Sequence, residues 1–366
     1  MMPTDDELHD LLDRLERVRA GEPLVIHTSG STERPKHVAL DWAALEAAAR
    51  ASEHRLGACN WLLALPVEYI AGVMVAVRAI VSGTEVRAVG ERDFASALAE
   101  LPAPKCVSLV PNQLDRLLQD EASRRALSEC RAVLVGGQAL PGELRGRARD
   151  AGIAVVETYG SSETAGGCVW DGQPLDGVEL RLGADDRLWI SGPMLARGYV
   201  SDNGSTDGPR TAERFVVDGG RRWYRSDDRA ELHLGEAGLE VSIRGRSDSV
   251  LISGGLKLDV AEVQRALNDG LVPVSAIAIA VPGTVWGESL GIVVLVDTAL
   301  GDEREAELER ALVNRFGPAA RPLVVSSPEV MLPNGKPDLR AYRALLVQHA
   351  RERGLLATMD DDDYRP

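Results

Sequence analysis

Aromatic residues are scarce in this 366-residue chain, at 4%, which leaves little stacking surface for single-stranded nucleic acid. Basic residues are outnumbered: 41 Lys and Arg against 56 Asp and Glu give a formal charge of -15, a field that repels nucleic acid and anionic membrane surfaces. Cysteine is limited to Cys59, Cys106, Cys130 and Cys168, with no CxxC pair and no accompanying histidine cluster. Neither a zinc site nor a disulfide framework is indicated, and a reducing cytoplasm is the expected location. The N-terminal MMPTDDELHD is acidic and has no apolar core, unlike an ordinary secretory signal. Long apolar runs are also missing. IAGVMVAVRAIVSG (70–83) is the most apolar stretch, but Arg78 interrupts it and it is shorter than a membrane span, so no membrane insertion is expected.

What remains is ordinary globular material, 45% hydrophobic and 27% charged, long enough for two domains or for one large one with an appendage. Thr4 with Glu7 three residues on forms a capping-box pattern, and Leu8, Leu11, Leu12, Leu15 and Val18 then recur at helical spacing before Gly21. Short apolar runs follow at 24 (LVIH), 61 (WLLAL), 84 (TEVRAV), 106 (CVSLV), 132 (AVLVG) and 153 (IAVVET). Helical patterns such as DWAALEAAARASEHRL and PNQLDRLLQD separate them, with Pro111 suited to a first helical turn. This alternation predicts an α/β fold with mostly parallel sheets. Beyond Tyr159, alternating segments punctuated by Gly and Pro predict a β-rich layer. A further change near Gly245 to Asp248 introduces a small α+β domain. The expected division is a large domain at 1–247, a small C-terminal domain at 248–356 and a disordered acidic tail at 357–366.

Five short segments carry chemical potential, each with a bland alternative. HTSGSTERPKHV (27–38) offers hydroxyls at Thr28, Ser29, Ser31 and Thr32, flexible Gly30 and the cation of Lys36, a composition that can wrap phosphates or simply form a surface loop. ETYGSSETAGGC (157–168) places Tyr159 and Glu163 at a strand end, able to stack a base and hold Mg2+ through an oxygen ligand. WYRSDD (223–228) offers Asp228 for ribose hydroxyls, although an isolated Asp pair is usually a turn. GRSDSVLISGGLK (245–257) allows close backbone approach at Gly254 and Gly255. PNGK (333–336) is a turn presenting Lys336.

Taken in order, the five resemble the signature of the adenylate-forming superfamily of acyl-CoA ligases, adenylation domains and luciferases, over residues 24–340. LPVEYIAGVMVAVR (65–78), VSLVPNQLDRLL (107–118) and YGSSETAGGCVWDGQPL (159–175) further resemble o-succinylbenzoate-CoA ligases of menaquinone biosynthesis, particularly the short actinobacterial type. The resemblance implies ATP, Mg2+ and coenzyme A as cofactor and cosubstrates, and a small-molecule acid as partner. It also implies a small domain on a hinge at Asp248. Ser29, Gly30, Ser31, Thr32 and Lys36, with Thr28, would grip the triphosphate. Gly136, Gly137, Tyr159, Gly160 and Ser161 would line the nucleotide pocket, Glu163 would hold Mg2+, and Asp228 and Arg246 would hold ribose and neighbouring groups. Gly254 and Gly255 would line the pantetheine channel, Lys336 would reach the reacting carboxylate and α-phosphate, and Tyr69 and Arg78 would face the acid. Glu33 and Asp227 stand where the pattern has glycine, and Tyr69 stands where many ligases have histidine, which bears on ATP use. Another aryl- or acyl-CoA ligase, or a catalytically weak binder of nucleotide or acyl-adenylate, are the competing readings. A homo-oligomer is left open.

Overall fold

The computed structural model describes residues 2–28, 36–235, 238–246, 250–253, 256–284, 287–296, 298–332 and 337–353. Two compact units emerge. The first takes the chain to Ser226 and adds 230–243; the second takes 227–229, the chain from 244 to 332, and the chain from 337 on.

The first unit opens on α1 (Asp5–Arg19). Its capping box is formed: Thr4 Oγ1 accepts from the Glu7 N–H at 3.2 Å, and the Glu7 carboxylate accepts from the Thr4 N–H at 2.7 Å. A seven-stranded sheet follows the order β4 (Val86–Ala88), β3 (Asn60–Leu63), β5 (Lys105–Leu109), β6 (Ala132–Gly136), β7 (Val155–Ser161), β8 (Gly166–Trp170), β9 (Gln173–Pro174). The first five strands run parallel and the last two antiparallel. A parallel sheet must be covered on both faces. On one face Leu62, Val107, Leu109, Val133 and Val135 pack under α4 (Phe94–Ala99), α5 (Pro111–Gln119), α6 (Glu121–Ser128) and α7 (Gly142–Asp150). On the other, Trp61, Leu63, Cys106 and Leu134 meet α3 (Ile70–Ser82), itself packed on α2 (Trp42–Leu56).

Two antiparallel sheets complete this unit. One joins β1 (Leu24–Thr28), β2 (Lys36–Leu40) and β12 (Gly198–Val200). The other has the order β10 (Glu179–Leu182), β11 (Arg187–Ser191), β14 (Arg221–Gly235), β13 (Phe215–Asp218), with α8 (Gly208–Arg214) before β13 and β15 (Gly238–Arg246) paired to β14. Leu24, Ile26, Val38, Leu40, Leu188 and Ile190 from these sheets share one core with Val73, Met74 and Val77 of α3.

In one place the structure departs from the pattern read in sequence. LVIH at 24 is an antiparallel hairpin strand rather than part of the parallel sheet; only seven residues separate β1 from β2, and a parallel crossover needs a dozen or more. Asp227 and Asp228 lie inside the long strand β14, within the stretch expected to be β-rich and not in the turn that an isolated Asp pair usually makes.

In the second unit β17 (Leu256–Asp259), β16 (Val250–Ser253), β19 (Gly287–Leu295) and β18 (Ala276–Thr284) are neighbours in that order, and β20 (Pro322–Ser327) runs parallel to β19. Leu251, Leu290 and Ile292 pack with α9 (Val260–Asn268) and α10 (Asp302–Phe316) through Val263, Leu267, Leu308 and Leu312. Ile277, Ile279 and Val293 pack with α11 (Leu339–Glu352) through Tyr342 and Leu346. Strands with helices on both faces make this an α+β layer. The acidic tail at 357–366 lies outside the described residues.

Candidate functional site

The C-terminal ends of parallel strands are where open α/β sheets bind ligands. Here β6 ends in Gly136, with Gly137 directly after it, and β7 ends in Tyr159, Gly160 and Ser161. Small residues are required at these ends. A Cβ on Gly136 would stand 2.3 Å from Thr158 Oγ1, and one on Gly160 would stand 1.9 Å from the Gly166 carbonyl oxygen. Gly137 turns the chain with φ of 82°, a left-handed conformation that glycine adopts without strain. Tyr159 is half-buried, and the buried Ser161 Oγ has no hydrogen-bond partner among the described residues. An unsatisfied buried donor of this kind costs free energy unless a ligand or water meets it.

Directly after Ser161 the chain makes a short 3-10 turn, Ser162–Thr164, which Thr164 closes by accepting from the Ser161 N–H at 2.9 Å. The turn carries Glu163, 5% exposed. Its Oε1 accepts a 2.8 Å hydrogen bond from the hydroxyl of Tyr199, itself 2% exposed, and its carbonyl accepts from the Ala196 N–H at 2.9 Å. Burial, followed by the Glu163 charge, raises the Tyr199 hydroxyl pKa well above its ordinary value, so Tyr199 stays a donor across the neutral range. One carboxylate with one oxygen engaged suits Mg2+, which takes few protein ligands when phosphates supply the rest. No cluster of three or more His, Cys, Asp or Glu that could hold a metal by itself occurs among the described residues.

Arg78 projects from α3 into the layer between helix and sheet, 6% exposed. Its Nε donates to Ser52 Oγ on α2 at 3.2 Å, and its guanidinium carbon lies 5.2 Å from the centre of the Trp61 ring. Burial lowers its pKa to about 10, which leaves it charged at neutral pH. Among the described residues it has no carboxylate partner. Tyr69 is half-buried at the start of α3, where its carbonyl accepts from the Gly72 and Val73 N–H groups. Burial and Glu68 raise its hydroxyl pKa.

The remaining expected residues divide by unit. Thr28 ends β1 directly opposite Lys36, which begins β2, so the hairpin brings both ends of the hydroxyl-rich segment together. Asp228 and Arg246 belong to the second unit, where Arg246 lies 3.6 Å from Asp227. Ser29, Gly30, Ser31, Thr32, Glu33, Asp248, Gly254, Gly255 and Lys336 lie outside the described residues. Tyr199 and Ser52 were not legible in sequence: GYV reads only as a short apolar strand, and Ser52 as one polar position on α2.

The family model described as "AMP-binding enzyme" matches residues 19–200, the span that contains β6, β7, Glu163 and Tyr199. The chain belongs to the AMP-binding enzyme family. Within this family it is similar to a probable 2-succinylbenzoate–CoA ligase of Mycobacterium tuberculosis, 39% identical over 265 residues, and to the 2-succinylbenzoate–CoA ligase of Salmonella typhimurium, 31% identical over 276 residues. These matches cover 69% and 73% of this chain but 65% and 56% of the relatives, so it spans less than two thirds of either. Among solved structures it is similar to MenE of E. coli with a bound m-phenylether-linked analogue of OSB-AMS, at 26% identity and a TM-score of 0.66, covering 88% of this chain and 69% of that one. The fold is shared with ATP-bound MatB from Rhodopseudomonas palustris, at 21% identity and a TM-score of 0.72, covering 88% and 67%.

Proposed function

We propose that this AMP-binding family member is an ATP-dependent acid–CoA ligase that converts o-succinylbenzoate, ATP and coenzyme A to o-succinylbenzoyl-CoA, AMP and pyrophosphate. The observation that carries the choice of acid is Arg78. Among the described residues Arg78 has no carboxylate partner; a buried cation left so is costly in the free protein, and an anionic ligand offsets that cost. o-Succinylbenzoate has two carboxylates: one is activated, and the other is left to pair with a cation. The names of the relatives point to the same acid.

A carboxylate resists thiol attack because its carbonyl is electron-rich and its leaving group poor. Attack of the acid on the α-phosphate of ATP releases pyrophosphate and yields an acyl-adenylate; coenzyme A then attacks the acyl carbon and AMP leaves. Both steps rest on positioning and charge stabilisation. The strand ends at Gly136, Gly137 and Tyr159 would seat the nucleotide, the Ser161 hydroxyl would find its missing partner there, and Lys36 with the preceding hydroxyls would hold phosphates. Mg2+ held by Glu163 would neutralise phosphate charge. Asp228 and Arg246 would hold the ribose and its surroundings, and a small domain that hinges at Asp248 would alternately present Lys336 and the Gly254–Gly255 pair. A cytoplasmic location follows from the same reading. The described helices include none long and apolar enough to cross a membrane.

Pyrophosphate release, measured with a panel of acids and followed by detection of the CoA thioester, tests the reading. Release only with other aryl or acyl acids moves the protein to another pathway, and nucleotide binding without any release makes it a binding protein. Within the panel, Arg78→Ala should raise the KM for o-succinylbenzoate by about 10- to 100-fold, the scale of a hydrogen bond to a charged group. Acids lacking the second carboxylate should be affected far less. Equal losses on both kinds of acid would assign Arg78 to packing under Trp61 alone.

A further inference from the structure

We propose that Tyr199 is a positioning residue for Glu163, fixing one carboxylate oxygen so that the other faces the divalent cation that accompanies the nucleotide phosphates. The inference rests on the nucleotide-binding reading above and adds a residue that belongs to none of the five segments.

Three observations converge on it. First, the Tyr199 hydroxyl donates to Glu163 Oε1 at 2.8 Å, and among the described residues this is the only hydrogen bond of the Glu163 side chain. A buried carboxylate with a single neutral donor is poorly compensated unless a cation meets its free oxygen. Second, the tyrosine is held at both ends. Its N–H donates to Thr211 Oγ1 at 2.9 Å, and its ring lies 5.8 Å from that of Phe215, which in turn lies 5.2 Å from Tyr224. Such a ring has little freedom to swing away. Third, Tyr199 sits on β12, which pairs with β2 so that Tyr199 is opposite Val38, two residues from Lys36. The same three-stranded sheet therefore carries both ends of the hydroxyl-rich segment and the donor that orients Glu163. Ala196, three residues before Tyr199, adds a backbone tether to the Glu163 carbonyl. The cation and the phosphate-binding segment are thereby referred to one frame.

Calorimetric titration with a non-hydrolysable ATP analogue, once with Mg2+ and once with EDTA, separates metal-linked binding from nucleotide binding. Tyr199→Phe keeps the ring and removes only the hydroxyl. It should bind the analogue in EDTA as the unaltered protein does, while the gain in affinity on adding Mg2+ falls about tenfold. Glu163→Gln should lose that gain almost entirely, and the double variant should be no worse than Glu163→Gln alone, because both changes act through one interaction. A full Mg2+ gain in Tyr199→Phe overturns the proposal. So does an equal loss with and without metal, losses that add in the double variant, or a Tyr199→Phe protein that does not fold; each assigns the tyrosine to the core. If the unaltered protein binds no analogue under either condition, the nucleotide reading falls, and this inference falls with it.

Discussion

Lys336→Ala is expected to slow formation of acyl-adenylate by about 100- to 1,000-fold while leaving transfer from supplied acyl-adenylate to coenzyme A much less affected. In the first half-reaction of the proposed activity two anionic groups, the carboxylate and the α-phosphate, must approach each other. A positioned ammonium offsets their repulsion where charge builds up, and loss of one such preorganised group costs roughly 3 to 4 kcal/mol. In the proposed second half-reaction the ester already exists, and the attacking thiol would approach past Gly254 and Gly255. Gly255→Val should therefore show the opposite selectivity, sparing adenylation and slowing thioester formation. Single-turnover assays of the two half-reactions on both variants are decisive: equal loss in both halves for Lys336→Ala would remove the alternating-domain assignment.

Gly160→Ala should be nearly as damaging, for a reason that lies in the fold. The added methyl would sit 1.9 Å from the Gly166 carbonyl oxygen and 2.6 Å from its carbon, both backbone atoms of the paired strand. No rotamer relieves a clash with backbone, so β7 and β8 must separate where their register already shifts, between Tyr159 and Gly160. The cost in stability is about 1 to 3 kcal/mol on the scale of overpacking. Separation also moves Tyr159, Ser161 and the Glu163 turn, and displacement of about 1 Å at a reacting centre costs roughly 100-fold in rate. Gly146→Ala is the control: nothing lies within 4 Å of its added Cβ, it falls within α7, and helix propensity favours alanine by about 1 kcal/mol. Thermal melts and adenylation rates of the pair test the account, which fails if Gly160→Ala melts with the unaltered protein and retains its rate.

The legible parts of the molecule were those governed by local rules. The capping box at Thr4 and Glu7, Pro111 at a helix start and the apolar runs of β5 and β6 each express a preference that a few neighbouring residues decide. The placement of β1 was not legible from its own residues, because LVIH has the composition of a buried strand in either kind of sheet; the short connection to β2 decided the pairing. An isolated Asp pair usually makes a turn, but the alternating segment around Asp227 and Asp228 was legible as β-rich, and both lie within β14. At the site, the segments carrying Tyr159 and Glu163 were recognisable as a pattern, whereas the partner of Glu163 was not. Tyr199 lies 36 positions further on, in a segment with no polar signature, and only the pairing of β12 with β2 brings it back. Arg78 was legible as a charge inside an apolar helix, but its partners Ser52 and Trp61 come from α2 and β3 and appear only once the layers stack.

The position of Arg78 also bears on how stable the folded chain can be. Well-packed apolar residues often replace a buried ion pair with no loss of stability, and a buried cation without its anion is still less favourable to the folded state. Held between α2, α3 and β3 beneath Trp61, Arg78 is a residue that folding alone would discard in favour of methionine or leucine. Under the proposed function its presence is a stability–activity trade-off, in which the free protein stays less stable than its core permits so that an acid-bound state has a charge to meet.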